Sequence, residues 1–240
     1  MKSTLHLQAS LLAMRFQFRS FIDLLSISNT LSYFSKKVNR KDDGGWYGTH
    51  DFRYKVVSGL ESKLNKGEIL YFEIVGWANE ETTIMPSHDV TKTGLQDIKK
   101  KYGNSINYTY DCQAGDCKLY VYRISLVNED GIVVEQPWGY VVRRCGELGI
   151  PHVPLLFGPT TLSHLAHIQS TDGHEALRRT VETYTSGPST LNPAQIREGV
   201  VIRVENKLGI SHIKNKSFEF GVLEGYLAED ESFVDPEDVS

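Results

Sequence analysis

Two adjoining stretches near the C-terminus constrain the fold of this chain most strongly. Residues 198–205 (EGVVIRVE) and 212–218 (HIKNKSF) are rich in valine, isoleucine and phenylalanine, a composition typical of β-strands. The NKLG segment between them is a turn signal, so we predict that the two strands pair as a hairpin. Because side chains alternate along a strand, Lys214, Lys216 and Phe218 are predicted to share one face.

The two lysines of this hairpin admit two interpretations. Lys214 and Lys216 would hold their ammonium groups roughly 7 Å apart, and in bulk water their repulsion is only about 0.6 kcal/mol. A solvated pair is therefore inexpensive. In a cleft of effective permittivity about 20 the repulsion rises to about 2.4 kcal/mol, which favours an anionic ligand. Glu198 opens the neighbouring strand, where a carboxylate suits a metal ion that accompanies such an anion.

A carboxylate also interrupts the most apolar segment of the chain. Residues 68–77 (EILYFEIVGW) form a near-continuous apolar run, which predicts a buried strand. An ionised carboxylate at Glu73 is costly there unless it is paired or binds a metal ion. Glu73 is therefore either the partner of a buried arginine or lysine, or a carboxylate at the wall of a binding cleft. The lysine pair leads us to favour the second interpretation.

Aromatic residues mark a third strand. Residues 118–125 (KLYVYRIS) alternate, which predicts that Tyr120, Tyr122 and Ile124 lie on one face. Aromatic side chains on strands usually belong to the core. A turn signal follows the strand and precedes a short apolar run, so we predict a second hairpin here.

The remaining periodic segments predict mainly helices. Apolar spacing and stop signals place these helices within residues 52–64, 94–102, 137–148, 162–168 and 175–184. Residues 1–34, by contrast, contain apolar runs with no clear strand or helix period.

Together, these segments resemble the covalent nucleotidyltransferases, which include ATP-dependent RNA ligases, DNA ligases and mRNA capping enzymes. Residues 198–203 resemble motif IV of that family, 213–217 resemble motif V, 71–76 resemble motif III, and 118–125 resemble motif IIIa. The Lys-Ser-x-Glu-Phe continuation after the hairpin is most similar to the RNA ligase branch.

The resemblance implies an α+β fold, a nucleotidyltransferase (adenylation) domain with antiparallel sheets flanking an ATP cleft. It implies an ATP-dependent RNA ligase that joins RNA ends through lysyl-AMP and RNA-adenylate intermediates, with ATP and Mg²⁺ as cofactors. The catalytic residues implied are Glu73, Glu198, Lys214 and Lys216, of which the two glutamates would bind the metal ion. The nucleotide-binding residues implied are Tyr122, Lys36, Lys37, Lys214 and Lys216.

The family nucleophile, a lysine in a K-x-D/H-G motif, has no convincing counterpart in this chain. Residues 41–44 (KDDG) match the motif literally but lie close to Glu73, whereas the family usually places motif Ia between the two. Residues 34–38 (FSKKV) resemble motif Ia, which would move motif I upstream. There, residues 4–10 (TLHLQAS) resemble a K-L-H-G-x-S pattern only in outline, with Thr4 at the lysine position.

Motif I is therefore degenerate or missing, and this leaves two further hypotheses. The chain could be a catalytically impaired or truncated ligase-like domain that binds nucleotide or nucleic-acid ends without ligation. It could also be an unrelated binding module with surface charges. We predict three regions: residues 1–34, a poorly defined segment that is a remnant of the motif I region; residues 35–227, the RNA ligase-like domain; and residues 228–240, an acidic disordered tail.

Composition limits the partners. The net charge is −4, whereas proteins devoted to phosphate-backbone binding are usually basic. Basic clusters at 36–41, 99–101, 143–144 and 178–179 fit solvated surfaces better than binding sites. RNA ends, including those of a nicked duplex, and ATP are the expected partners. No apolar run is long enough to span a membrane, so we expect no membrane contact and a cytoplasmic location.

The three cysteines do not indicate a disulfide framework, because the count is low and odd. Cys112 and Cys117 flank a turn and could join a hairpin or contribute to a zinc site. A structural zinc site needs four ligands, however, and the chain has no second cysteine pair. We therefore expect no zinc site.

Overall fold

The computed structural model describes the backbone of residues 4–9, 21–28, 30–35, 38–40, 52–206 and 208–225. Side chains are described in the last two ranges, apart from residues 61, 92 and 93. The chain divides into two compact units. The first unit comprises residues 1–12, 86–107 and 154–240, and the second comprises residues 13–85 and 108–153.

The described residues form a mixture of strands and helices. The strands are β1 (Thr4–Ala9), β2 (Phe21–Ser28), β3 (Thr30–Ser35), β4 (Val38–Arg40), β5 (Glu68–Gly76), β6 (His88–Asp89), β7 (Ser105–Ile106), β8 (Cys117–Val127), β9 (Val133–Glu135), β10 (Leu155–Thr160), β11 (Gly199–Asn206) and β12 (Gly209–Lys216). The α-helices are α1 (Phe52–Val57), α2 (Gln96–Tyr102), α3 (Trp138–Leu148), α4 (Leu162–Gln169), α5 (Gly173–Thr185) and α6 (Phe218–Leu223).

The first unit is built on a four-stranded antiparallel sheet with the order β10-β1-β11-β12. Val200 and Ile202 of β11 point to the face that packs on α4 and α5, where they join Leu165, Ala176 and Val181 in one apolar cluster. The burial of these five side chains fixes the position of β11 against the helices. The other face of β11 is therefore the one that carries its odd-numbered residues.

The second unit is built on a six-stranded antiparallel sheet with the order β4-β3-β2-β5-β8-β9. In its central pair, Leu70 lies opposite Ile124 and Phe72 lies opposite Val121, and all four are fully buried. Register partners in an antiparallel pair point to the same face, so these four residues form one apolar face of the sheet.

A buried ion pair joins α3 to this apolar face. The Nε atom of Arg144 lies 2.8 Å from Oε1 of Glu68, and its Nη2 atom also donates to the Lys63 carbonyl at 2.7 Å. Glu68 precedes Leu70 by two residues and shares its face. The expectation of a solvated surface at 143–144 is therefore wrong for Arg144, which is buried, whereas Arg143 is exposed.

The hairpin predicted near the C-terminus is confirmed, because β11 and β12 pair in continuous register from Gly199–Lys216 to Asn206–Gly209. Phe218 was predicted to extend the lysine face of the strand, and that prediction is wrong. Ser217 ends the strand and caps α6, since its Oγ atom accepts a hydrogen bond from the Phe220 amide at 3.2 Å. Phe218 is therefore the first residue of a helix.

The alternation predicted for β8 fails at one residue. Tyr71 lies opposite Arg123 but Phe72 lies opposite Val121, so Tyr122 is an extra residue in the β5–β8 ladder. Such a bulge reverses the alternation on either side of it. Tyr120 and Ile124 therefore lie on opposite faces, since Tyr120 pairs with Glu73 and Ile124 pairs with Leu70.

The helices predicted from spacing are found at α1 through α5, and the first of them continues as a 3₁₀ turn over Ser58–Lys63. Gly103 and Gly149 follow α2 and α3, as their stop signals predicted. β1, β2 and β3 lie in the N-terminal segment, where apolar spacing showed no period, because strand pairing rather than local pattern defines them. No helix among the described residues is long and apolar enough to cross a bilayer.

Candidate functional site

The close approach of β12 to Gly199 fixes the start of β11. Gly199 has a φ of 149°, and a Cβ atom there would lie 2.2 Å from the Asn215 carbonyl oxygen and 2.8 Å from Cα of Lys216. Any larger residue would push the two strands apart. Glycine at this position therefore sets the second lysine directly against the backbone that follows Glu198, which is itself only 2% exposed.

Ser217, just after β12, forms hydrogen bonds with the residues that precede β11. Its backbone amide donates to the Glu198 carbonyl at 2.9 Å, and its Oγ atom donates to the Arg197 carbonyl at 2.7 Å. The side chain is fully buried and also caps α6. Ser217 thus fixes the end of β12 to the residues before β11, and this holds Lys216 in place relative to Glu198.

The lysine pair lies on the face of β11 and β12 that points away from α4 and α5. Lys214 is in register with Val201 and Lys216 with Gly199, which confirms that the two lysines share a face. Lys214 is exposed, whereas the side chain of Lys216 is only 25% exposed. Its Nζ atom lies 3.7 Å from Oε2 of Glu224, a carboxylate that is 2% exposed.

The same face carries a buried arginine. Arg203 is fully buried; its Nε atom lies 2.7 Å from Oε1 of Glu205, and its Nη1 atom lies 3.0 Å from Nε2 of His212. Because Arg203 cannot lose its proton, His212 Nε2 must accept this hydrogen bond. The pairing sets the orientation of the His212 ring, two residues before Lys214.

Helix α5 supports the lysine strand from the other side. Asn215 Nδ2 donates to Thr185 Oγ1 at 2.7 Å, and that hydroxyl donates to the Val181 carbonyl at 2.7 Å. Arg197 Nη1 donates to the Tyr184 carbonyl at 2.6 Å, and burial lowers the pKa of this arginine. The backbone around Glu198 and the lysine pair is therefore held by side chains on three sides.

Glu73 lies in the second unit, on the face of β5 opposite to Glu68. It is 4% exposed and in register with Tyr120, and it shares its face with Tyr71 and Arg123. Burial, with a contribution from nearby acidic groups, raises the pKa of the Tyr120 phenol. Tyr120 therefore remains a hydrogen-bond donor beside Glu73 at neutral pH.

The bulged residue Tyr122 contacts this cluster. The ring centroids of Tyr71 and Tyr122 lie 6.4 Å apart at an interplanar angle of 50°. The guanidinium carbon of Arg123 lies 3.5 Å from the centroid of the Tyr71 ring. Bulges re-aim side chains and are common beside binding sites. Tyr122, which the family resemblance implies to be a nucleotide-binding residue, thus belongs to a group with Tyr71 and Arg123 that the sequence did not suggest.

The structure therefore groups the predicted residues in two sets. Glu198, Lys214 and Lys216 lie together in the first unit, and Glu73 and Tyr122 lie on one strand pair of the second. That the two sets converge on one cleft stays a prediction. Lys36, Lys37 and the KDDG segment at 41–44 lie outside the described residues.

Sequence reasoning missed Ser217, Glu224, Arg203 and Arg123. For Ser217 a signal existed, since a serine before an apolar helical turn is a common N-cap. No local pattern could have paired Glu224 with Lys216 or Arg123 with Tyr71, because both contacts depend on tertiary packing.

The residues predicted for motif I are placed by the register of β1. Thr4, at the predicted lysine position, lies opposite Glu205, at the far end of β11 from Glu198. At the opposite end of β1, Gln8 is in register with Val201 of β11, and Val201 is in turn in register with Lys214 of β12. Thr4 is therefore not in register with the lysine pair.

The cysteines and other potential metal ligands of the described residues do not cluster. Within the described ranges, no group of three or more histidine, cysteine, aspartate or glutamate side chains could hold a metal ion. Cys112 and Cys117 are free thiols, and burial raises the pKa of Cys117 to about 11. Burial therefore keeps both thiols protonated at neutral pH.

Comparison with known proteins identifies the fold. The sequence matches no protein-family model and no curated protein. Among solved structures, an apo aspartate-to-alanine mutant of Naegleria gruberi RNA ligase is 16% identical, with a TM-score of 0.55, over 94% of this chain and 51% of that chain. This chain has an ATP-dependent RNA ligase-like fold.

Two further structures of the Naegleria gruberi RNA ligase agree. A lysine-to-methionine mutant with AMP and Mn is 17% identical, with a TM-score of 0.53, over 90% of this chain and 50% of that chain. The ligase with PPi is 15% identical, with a TM-score of 0.52, over 92% of this chain and 51% of that chain. The ligase-like chain thus spans about half the length of these RNA ligases, and the predicted α+β class with antiparallel sheets is confirmed.

Proposed function

We propose that this chain is an RNA ligase-like adenylyltransferase domain that binds ATP with a divalent cation and acts on RNA ends. One observation carries the proposal. Gly199 and Ser217 together fix the backbone at Glu198, a buried carboxylate, against the strand that carries Lys214 and Lys216. This is the arrangement a nucleotide phosphate and its metal ion require, and a solvated charged surface has no need of it.

The residues fit a hard divalent cation. Glu198 and Glu73 are both buried carboxylates, and Mg²⁺ is bound in proteins by one or two carboxylates together with substrate phosphate oxygens. Mg²⁺ would offset phosphate charge and orient the pyrophosphate leaving group. In the proposal, Glu198 and Glu73 hold the ion, and Lys214 and Lys216 bind the phosphates. Tyr122 stacks on the adenine, and Lys36 and Lys37 add further nucleotide contacts.

The proposed reaction joins RNA ends through lysyl-AMP and RNA-adenylate intermediates, within a domain of residues 35–227. Its first step needs a neutral lysine amine to attack the α-phosphorus, with pyrophosphate as the leaving group. The nearby cations Lys214 and Lys216 would lower the pKa of such an amine. RNA ends, either single-stranded or at a nick in a duplex, are the proposed substrates.

A second candidate function is favoured by the composition of the sheet. β1, β10 and β11 contain no lysine, and β12 contributes only the lysine pair. No residue of these strands can therefore act as a lysine nucleophile apart from Lys214 and Lys216. This observation favours a domain that binds nucleotide or nucleic-acid ends without ligation.

Calorimetry with ATP and Mg²⁺ tests the binding that both candidates share. We expect saturable binding by the wild type, and a larger loss of affinity in Lys216→Ala than in Lys36→Ala, since Lys216 lies on the strand fixed against Gly199. Equal losses in the two variants at moderate salt would contradict the assignment. A wild type that binds no ATP would overturn the function.

Transfer of labelled AMP separates the two candidates. The purified chain is incubated with α-labelled ATP and Mg²⁺ or Mn²⁺ and resolved by denaturing electrophoresis. The first candidate requires labelled protein. We expect little or no label, in favour of the second candidate, because no strand of the sheet β10-β1-β11-β12 places a further lysine beside Lys214 and Lys216. Stoichiometric labelling would instead establish ligase chemistry, and its loss in Lys41→Ala would identify the KDDG segment as motif I.

A further inference from the structure

Arg123 occupies an unusual position on the face of β5 and β8 that carries Glu73. It lies opposite Tyr71, just after the bulge at Tyr122, and its guanidinium carbon stacks 3.5 Å from the Tyr71 ring centroid. The residue is half-buried, as are both tyrosines. Stacking fixes the plane of the guanidinium, which makes its donors directional.

Two buried arginines of the described residues, Arg144 and Arg203, are paired with protein acceptors. Arg144 contacts Glu68, Glu147 and a backbone carbonyl, and Arg203 contacts Glu205 and His212. Arg123 differs, because among the described residues it has no hydrogen-bond acceptor and no carboxylate within ion-pair distance, and its Nε atom is buried without a partner. Its donors are therefore held in place by the stack on Tyr71, with no acceptor among the side chains that the structure describes.

The cluster also offers more stacking surface than a mononucleotide can use. ATP has one base, and under the proposed function Tyr122 takes it. The guanidinium of Arg123, backed by Tyr71, is a second flat surface on the same strand pair. Single-stranded RNA is held by stacking its bases on aromatic rings or arginine planes while cationic donors bind the phosphates. A lone phosphate site for ATP would not need the aromatic support.

We propose that Arg123, stacked on Tyr71, binds the RNA strand: a base stacks on the guanidinium plane and an adjacent phosphate receives its hydrogen bonds. This inference rests on the proposed function and adds a residue through which the domain holds its polynucleotide substrate. The ligand class is single-stranded RNA at the end to be joined, and under the proposed function the ATP base lies on Tyr122 rather than on Arg123.

The test measures RNA and ATP binding separately. Anisotropy with a 3′-labelled, 5′-phosphorylated 12-nucleotide RNA is recorded over a series of salt concentrations for wild type, Arg123→Met and Arg123→Lys. We expect Arg123→Met to weaken RNA binding about tenfold and to reduce the salt slope by about one phosphate contact. Arg123→Lys should restore the slope but not the affinity, because a lysine cannot stack as a plane. ATP affinity by calorimetry should change by less than about twofold in both variants.

Arg143→Met is the matched control, because this arginine belongs to the same unit and its side chain is 67% exposed. RNA affinity equal to wild type in Arg123→Met, with ATP binding intact, would overturn this inference and leave the proposed function standing. Loss of ATP binding with unchanged RNA binding would also overturn it, and would make Arg123 a nucleotide contact. If Arg123→Met does not fold, Arg123→Lys and Tyr71→Leu carry the test, and wild-type RNA affinity in both would refute the assignment.

Discussion

Two glutamates on one strand illustrate how differently a buried carboxylate can be used. Glu68 and Glu73 both lie on β5 and are 0% and 4% exposed. Glu68 points to the apolar face that packs on α3, where Arg144 pairs with it. Glu73 points to the opposite face, beside Tyr71, Tyr120 and Arg123. Burial alone therefore does not mark a binding residue.

The sequence offered the same two interpretations for Glu73, a partner for a buried cation or a site carboxylate. The structure shows such an ion pair at Glu68, with the buried Arg144. The following predictions test whether the two glutamates separate into a structural and a binding role.

The largest effect is expected for Glu68→Ala. Removing one partner of a buried ion pair leaves the other charge buried without compensation, which costs about 3–5 kcal/mol. Arg144 would be left with only its contacts to Glu147 and the Lys63 carbonyl. Urea unfolding should show this loss as a lower midpoint with an unchanged m-value.

A double variant provides the control for this measurement. Glu68→Met with Arg144→Met removes both charges and should recover most of the lost free energy of unfolding. A single Glu68→Ala variant within about 1 kcal/mol of wild type would show that the pair is not structural, and the contrast with Glu73 would fail.

The next effect concerns Glu198, whose backbone is fixed by the close packing of β12 against Gly199. Gly199→Ala would place a Cβ atom 2.2 Å from the Asn215 carbonyl oxygen. We expect the strands to separate, with a loss of about 1–3 kcal/mol in stability and a loss of ATP affinity. Gly139→Ala is the matched control, since a Cβ atom there meets nothing within 4 Å. Equal stability of the two variants would refute the packing argument.

A smaller effect, on ligand binding alone, is expected for Glu73→Gln and Glu198→Gln. Each change keeps the shape of the side chain but removes the charge that would bind the cation. We expect Mg²⁺-dependent ATP affinity to fall about tenfold, or about 1.4 kcal/mol, with little change in stability. Titration of ATP with and without Mg²⁺ measures this. A Glu73→Gln variant that loses stability but keeps metal-dependent binding would assign it the same role as Glu68.

The smallest effect is a pH dependence at His88, a buried titratable residue stacked 6.1 Å from Phe220 of α6. Burial lowers the pKa of His88 below its ordinary value of 6.5. Between these two pKa values the unfolded chain binds a proton at His88 that the folded chain does not. This contribution to the free energy of unfolding is therefore fully present above about pH 6.5 and is lost as the pH falls through the pKa of the folded state. Unfolding midpoints between pH 7.5 and 5 should fall more steeply for wild type than for His88→Gln, and parallel curves would contradict this.

The hairpin of β11 and β12 could be predicted because valine-rich strands and an NKLG turn agree locally with their tertiary pairing. The same alternation gave a wrong prediction for Phe218, because the strand ends before it and Ser217 is the N-cap of a helix. The bulge at Tyr122 had no signal at all, since no glycine marks it. It arises from the pairing of β8 with β5, which local spacing does not encode.

The candidate site follows the same rule. Glu198, Lys214 and Lys216 could be placed together because a hairpin turn relates them over a short stretch of chain. Two further contacts depend on packing between elements: Lys216 with Glu224, and Arg123 with Tyr71. No local sequence pattern predicts either of them. Thr4 was placed at the motif I lysine position by its sequence pattern, but the register of β1 puts it opposite Glu205, away from the lysine pair.

The position of β1 has a consequence for how the chain folds. β1 lies between β10 and β11, so the N-terminal strand pairs only with strands that begin at Leu155 and Gly199. During synthesis one edge of β1 must wait for residue 160 to emerge and the other for residue 206. Long-range pairing of this kind slows folding and exposes strand edges to aggregation. We therefore expect the unit that carries the lysine pair to form last and to depend most on chaperones.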